Sequence, residues 1–151
     1  MRPHHNTHFT APLLAALFML LITFPVTAAK HYADVLVTSM NNEPTVWARA
    51  SEHTPKYPLA LAKEGKRGCA VMRFSVSEQG KATDISVVES VPDGALGREA
   101  MQLIRSWEWT HGDKTPAEEA QTLRLDFCMG GSSVAEAHQR CIKQAEYRCS
   151  Q

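Results

Sequence analysis

Apolar side chains occupy every second position in three segments of the chain, which predicts three β-strands that each bury one face. The inward positions are Ala70, Met72, Phe74 and Val76 in the first strand, Ile85 and Val87 in the second, and Leu123, Leu125 and Phe127 in the third. Gly80 lies between the first two strands in a short polar segment, which predicts a hairpin turn. The first two strands are therefore predicted to be antiparallel neighbours.

Between the second and third strands, the apolar period changes to that of a helix. The predicted stripe is Leu96, Ala100, Leu103, Ile104 and Trp107. Asp93 is its candidate N-cap, and Trp109, two residues beyond the stripe, either closes the core or lies half exposed. A shorter helix is predicted over 59–64, where Gly65 ends it in a left-handed conformation.

A last helix is predicted near the C-terminus. Ser133–Glu136 has the pattern of a capping box, in which a serine caps the helix and a glutamate follows three residues later. The apolar stripe of this helix consists of Val134, Ala137, Cys141, Ile142 and Ala145.

Short connections between these elements predict an α+β fold of the β-β-α-β type, with an additional C-terminal helix. The predicted sheet is antiparallel and three-stranded, in the spatial order 2-1-3, and one helix covers it. In that order the third strand, Leu123–Phe127, lies at an open edge. The alternative is that Ala33–Val37 or the C-terminal helix covers this edge. Residues 30–54 are otherwise predicted to be an irregular lead-in.

The first 29 residues have the pattern of a secretory signal peptide. Their apolar stretch, Ala11–Phe24, is shorter than the ~20 residues that a spanning helix needs. Pro25 and small residues follow it, which predicts cleavage before Ala29 or Lys30. The alternative is an uncleaved membrane anchor within the same segment. Both predict that the rest of the chain is exported.

All four cysteines lie in the exported part: Cys69, Cys128, Cys141 and Cys149. An even number of cysteines in a small exported domain predicts two disulfides. Their spacing fits neither a redox pair nor a zinc site, so no metal is expected. Two pairings remain open: each of Cys141 and Cys149 bonds one sheet cysteine, or Cys69 bonds Cys128 and the other two bond each other. The first pairing would fasten the C-terminal helix over the sheet.

Composition narrows the possible functions. The 151 residues carry 16 basic and 16 acidic side chains, whereas a nucleic-acid surface needs clustered basic residues. The chain has no Gly-x-Ser-x-Gly motif, and His53, His111 and His138 are scattered over two loops and a helix. These features argue against nucleic-acid binding and against an enzyme.

Several residues around the predicted sheet form an ordered motif: Tyr57, Pro58, Gly65, Gly68, Ser90, Pro92 and Trp107. With the alternating strands between them, they resemble the C-terminal domain of the TonB family, the periplasmic energy transducers. The resemblance covers about residues 55–129. It divides the chain into a signal segment at 1–29, the lead-in at 30–54, a TonB C-terminal-like domain at 55–131 and a disulfide-tied helix at 132–151.

The resemblance implies a non-catalytic periplasmic domain, without a cofactor, that binds envelope proteins in TonB-type transmembrane transport. If the signal segment is retained, the domain would lie on the periplasmic side of the inner membrane. Expected partners are outer-membrane receptor peptides or inner-membrane transport components. Binding is expected by strand addition to Leu123, Arg124, Leu125, Asp126 and Phe127 at the open edge. The alternative is a structural or envelope-assembly accessory that transduces no energy. The roughly 25 residues between Ala29 and Pro55 reach at most ~80 Å, which makes it hard to span the periplasm to an outer-membrane receptor.

Overall fold

The structure is a computed structural model that describes residues 31–149. In chain order, its strands and helices are β1 (Ala33–Ser39), β2 (Ala48–Arg49), α1 (Leu59–Lys63), β3 (Gly68–Val76), β4 (Ala82–Val91), α2 (Ala95–Ser106), β5 (Trp109–Thr110), β6 (Glu119–Met129) and α3 (Val134–Ala145). The predicted signal peptide lies outside the described residues. Among residues 31–149, no helix combines the length and the hydropathy needed to cross a membrane.

The main sheet has four antiparallel strands in the order β1-β6-β3-β4. The predicted three-stranded order is confirmed in β4, β3 and β6, but β1 is added beside β6. It pairs along its whole length, from Ala33 opposite Met129 to Ser39 opposite Leu123. The prediction that Leu123–Phe127 form an open edge is therefore wrong, and the alternative, coverage by the segment around Ala33–Val37, is what the structure shows.

The predicted lead-in is also not wholly irregular, because it contains β1 and β2, and it contributes side chains to the core. Val35 on β1 is 1% exposed and Trp47, just before β2, is 3% exposed. The carboxylate of Glu119 accepts hydrogen bonds from the backbone N–H groups of Val46 and Trp47. These bonds hold the chain between β1 and β2 against the start of β6.

Helices cover both faces of the sheet. On one face, α2 packs against β3 and β4, and the inward residues of β3 and β6 form the main core with Leu96, Ala100 and Ile104. On the other face, α3 packs against β1 and β6. Of the predicted stripe of α2, Trp107 is only half buried and follows the helix as its C-cap, whereas Trp109 is buried.

The N-terminus of α2 differs from the prediction. Gly94, not Asp93, is the N-cap, and no side chain accepts a hydrogen bond there. The hydroxyl of Ser90 instead accepts a hydrogen bond from the backbone N–H of Gly97, 3.1 Å away, within the first turn. The last strand before the helix thus supplies the polar contact that a cap residue usually makes.

The C-terminal helix begins as predicted, with Ser133 as its N-cap. Its predicted stripe is partly wrong, because Val134 and Ile142 are 55% and 40% exposed. Only Ala137 and Cys141 of the stripe are buried. The face that α3 turns to the sheet is set by disulfide and polar contacts as well as by apolar ones.

Two disulfides, Cys69–Cys149 and Cys128–Cys141, join β3 and β6 to the C-terminal segment. Each C-terminal cysteine bonds one sheet cysteine, so the first of the two predicted pairings is correct and the second is wrong. The two bonds clamp α3 and the residues after it onto the sheet face opposite α2.

Candidate partner-binding edge

The outer edge of β1 presents unpaired backbone groups at alternate residues. The carbonyl of Tyr32 accepts a hydrogen bond from the N–H of Gly130, and the N–H of Met40 donates to the carbonyl of Thr122. In an antiparallel pair, the backbone groups of successive residues point alternately toward the partner strand and away from it. The N–H and C=O groups of the even-numbered residues between Tyr32 and Met40 therefore also point toward β6. The odd-numbered residues, including Val35 and Val37, therefore direct their N–H and C=O groups away from the sheet. Within residues 31–149, β1 pairs only with β6.

The other outer strand, β4, is less regular. Its pairing with β3 shifts twice, between Val71 and Met72 and between Arg73 and Ser75. Asp84 within it has a positive φ of 51°. Bulges, twists and charges are the usual means by which proteins protect an edge strand from pairing. By contrast, β1 pairs with β6 without a register shift. Its one charged side chain, Asp34, is hydrogen-bonded to His138 over 2.6 Å on the α3 face, so it does not protect the outer edge. The β1 edge is the better template for an added strand.

A cavity of about 300 Å³ adjoins this edge on the α2 face. Val37 and Ser39 of β1 line it together with Trp47, Trp107 and Trp109. The indole N–H of Trp109 is buried without a hydrogen-bond acceptor among the described residues. Arg49 also lines the cavity, where its guanidinium carbon lies 5.1 Å from the centre of the Trp107 ring. Partial burial lowers the pKa of Arg49.

The polar residues of the predicted binding strand are engaged inside the protein. Arg124 donates from Nε and Nη2 to the two carboxylate oxygens of Asp126, both across 2.8 Å. It also donates to the carbonyls of Gln144 and Tyr147 beyond the sheet. Asp126 accepts a further hydrogen bond from Gln144, whose side-chain nitrogen also reaches the carbonyl of Gly68. Arg124 and Asp126 therefore bind the C-terminal segment rather than facing solvent.

The motif residues around the sheet hold turns and core contacts. The hydroxyl of Tyr57 donates to the carbonyl of Lys66, and its ring packs edge-on against Phe127. Burial raises the pKa of Tyr57 to about 12, against the opposing effect of the Arg67 charge. Gly68 has a φ of +147°, and a Cβ there would overlap the carbonyl oxygen of Val91. The other five motif residues also have structural positions. Pro58 is the N-cap residue of α1, Gly65 has a left-handed φ, and Pro92 follows β4. The Ser90 hydroxyl accepts a hydrogen bond from the first turn of α2, and Trp107 is the C-cap residue of that helix.

The sequence offered the pairing of β1 only as an alternative cover for the edge, and it gave no indication that Trp47 is buried. The available signal is the short apolar run Val35–Val37, but three consecutive apolar residues identify neither the buried face nor the pairing partner. Among the described residues, no group of three or more His, Cys, Asp or Glu side chains is arranged to hold a metal ion.

Comparison with known proteins gives the family. Residues 53–128, half of the chain, match the family model for the Gram-negative bacterial TonB protein C-terminal. Protein TonB of Yersinia enterocolitica is 26% identical over 109 residues, which are 72% of this chain and 40% of that protein. Protein TonB of Pseudomonas aeruginosa is 31% identical over 72 residues, 46% of this chain and 21% of that protein. The chain thus spans well under half the length of these relatives.

Among solved structures, the solution NMR structure of the Pseudomonas aeruginosa TonB C-terminal domain is similar. The alignment covers 59% of this chain and 91% of that one, at 22% identity and a TM-score of 0.43. On the family match, this chain belongs to the TonB C-terminal family.

Proposed function

We propose that this chain is a non-catalytic periplasmic domain that binds envelope proteins in TonB-type transport, by adding an extended partner segment to the outer edge of β1. Family membership supports the transport association. The two disulfides support an oxidising compartment such as the periplasm. Outer-membrane receptor peptides and inner-membrane transport components are the partners we propose.

The regular β1 edge is the observation that carries the proposal. Added strands gain affinity from main-chain hydrogen bonds and specificity from pockets for alternate side chains. The odd-numbered residues of β1 offer backbone groups for the hydrogen bonds. The tryptophan-lined cavity beside Val37 offers a pocket for a side chain of the partner. The proposed site of strand addition is therefore β1, and no longer Leu123–Phe127 in β6, which β1 covers.

The same pairing bears on energy transduction. While β1 is bound to β6, residues 33–39 belong to the folded domain and add no reach to a spacer. Either proposed partner would therefore make its contact at the folded domain and not at an extended segment around residues 33–39. The pairing is also the observation that favours the second candidate function, an envelope-assembly accessory without energy transduction.

Val37→Pro tests the edge, because it removes an outward N–H while leaving the ladder to β6 intact. Val37→Ala is the matched control, since it loses the same side-chain packing but keeps the N–H. Val88→Pro probes the opposite edge at an exposed bulge residue of β4. The partner is captured from the envelope fraction with the wild-type protein and identified by mass spectrometry, and its affinity for each variant is then titrated.

We expect Val37→Pro to weaken binding at least about fivefold, the equivalent of one net hydrogen bond of ~1 kcal/mol. Val37→Ala and Val88→Pro should bind within about twofold of the wild type, a difference of less than ~0.5 kcal/mol. Circular dichroism must show that the proline variants are folded. A folded Val37→Pro variant that binds as tightly as Val37→Ala would eliminate the β1 edge, and selective loss in Val88→Pro would move the site to β4.

A further inference from the structure

A groove on the α3 side of the molecule is lined by cations and by no carboxylate. Its volume is about 380 Å³, and Arg67, Arg140, Lys143 and Tyr147 contribute to its walls. Arg67 precedes β3, whereas Arg140, Lys143 and Tyr147 follow one another at helical spacing along α3 and just beyond it. We call these four residues the cationic groove. The chain as a whole has no net charge, so the groove is a local concentration of positive charge.

The three cations of the groove make no salt bridge with any carboxylate in the described part of the chain. Three of the acidic side chains near α3 are already engaged, and a fourth, Glu146 at the C-cap of α3, does not line the groove. Asp126 accepts from Arg124 and Gln144, Asp34 is bonded to His138, and Glu136 accepts two hydrogen bonds from Ser132. The charge of Arg140 helps to lower the pKa of Glu136, but the two side chains are not in salt-bridge contact.

A second cavity, of about 290 Å³, adjoins the cationic groove and shares Gln144 and Tyr147 with it. Its other walls include Val91, the Cys69–Cys149 disulfide and Arg124, whose guanidinium is already bonded to Asp126. It too is lined by no Asp or Glu, and Arg148 lies on it. The cationic groove therefore adjoins a cavity that has an apolar wall, formed by Val91 and the disulfide, and no acidic side chain.

We propose that the groove and this cavity bind an anionic amphiphile, with its phosphate-bearing head in the cationic groove and the start of its apolar chain beside Val91. Arginine guanidinium groups match phosphate oxygens with paired hydrogen bonds, and a lysine adds a point charge. Three cations around one groove suit a head with several acceptor oxygens better than a single carboxylate. The residues involved are separate from the β1 edge, so this site stands whether or not partners bind there.

The test uses soluble short-chain lipids with the full disulfide-bonded protein. Dihexanoyl-phosphatidylglycerol, below its micelle concentration, is titrated and followed by NMR chemical shifts. Dihexanoyl-phosphatidylcholine, inorganic phosphate and a tetraglutamate peptide are titrated in parallel. The variants are Arg140→Gln/Lys143→Gln and, separately, Arg67→Gln in the loop. Arg98→Gln/Arg105→Gln on α2 removes the same charge from the opposite face and is the matched control.

We expect phosphatidylglycerol to shift the resonances of Tyr147 and Val91, and to bind more tightly than phosphatidylcholine or phosphate alone. The Arg140→Gln/Lys143→Gln variant should weaken binding at least about tenfold, as expected for the loss of charge-assisted hydrogen bonds. Arg67→Gln should weaken it in the same direction, and the α2 control should leave it unchanged. Binding should also fall as salt is raised.

The source of the head group is distinguished with vesicles of palmitoyl-oleoyl-phosphatidylglycerol. Binding to both vesicles and monomers supports a membrane lipid, and binding to monomers alone supports a free amphiphile. The proposal is overturned if phosphatidylcholine binds equally, if the α2 control loses as much affinity as the groove variant, or if no lipid binds. Tighter binding of tetraglutamate at the groove would also overturn it, because the groove would then be a site for an acidic protein segment.

Discussion

Replacement of Asp126 by asparagine is expected to destabilise the domain strongly. The Asp126 side chain is completely buried, and its carboxylate accepts two hydrogen bonds from Arg124 at 2.8 Å and one from Gln144 at 2.9 Å. Asparagine removes the charge and turns an amide NH₂ toward these donors, so that Arg124 is left as a buried cation without its partner. Such losses cost ~3–5 kcal/mol, a large part of the ~5–15 kcal/mol that stabilises a typical domain.

Urea denaturation followed by circular dichroism, with the disulfides intact, measures this cost. Glu64→Gln is the control, because it removes a carboxylate from an exposed pair with Lys66, and we expect no measurable shift of its midpoint. The double variant Arg124→Met/Asp126→Leu should be more stable than Asp126→Asn, since it leaves no buried charge behind. A loss below ~1 kcal/mol for Asp126→Asn would refute the reasoning, because it would show that the pair is solvated and not buried.

Two further predictions concern Tyr57, which precedes α1, and Gly68, which begins β3. With its folded-state pKa raised from 10.0 to about 12, neutral Tyr57 contributes stability that is present below pH 10 and is lost as the pH rises toward 12. The ultraviolet titration of the wild type minus that of Tyr57→Phe should show one tyrosinate with a midpoint near 12, and a midpoint near 10 would contradict the burial. Gly68→Ala should destabilise far more than Gly112→Ala, because a Cβ at Gly68 meets the Val91 carbonyl whereas one at Gly112 meets nothing within 4 Å. Thermal unfolding checks this, and equal losses for the two variants would argue against the close approach.

The sequence predicts the elements whose signal is local. β3 and β6 alternate clearly, the hairpin carries Gly80 at a φ of 69°, and Ser133 caps α3 as expected. Even the pairing of each C-terminal cysteine with a sheet cysteine was among the alternatives, because an uninterrupted helix would separate Cys141 from Cys149 by ~12 Å, too far for a bond.

What the sequence could not predict depends on contacts between distant residues. Asp34 reads as a polar interruption of β1, and only its bond to His138, 104 residues away, explains its burial. Arg124 and Asp126 alternate like solvent-facing positions, but α3 covers them through hydrogen bonds that no local period encodes. The predicted edge strand, β6, is one strand away from the observed edge, β1, for the same reason. The pairing between β1 and β6 joins segments more than 80 residues apart, which no local pattern shows.

The central claim, that β1 closes the sheet and offers its own outer edge, is tested most directly by hydrogen exchange of the β1 amides, resolved by NMR. The N–H groups of Leu36 and Thr38 face β6 and should exchange slowly, whereas those of Val35 and Val37 face outward and should exchange fast. On binding a partner segment, Val35 and Val37 should become protected as well. Equally fast exchange at all four amides in the free protein would show that β1 does not pair with β6, and would contradict this account.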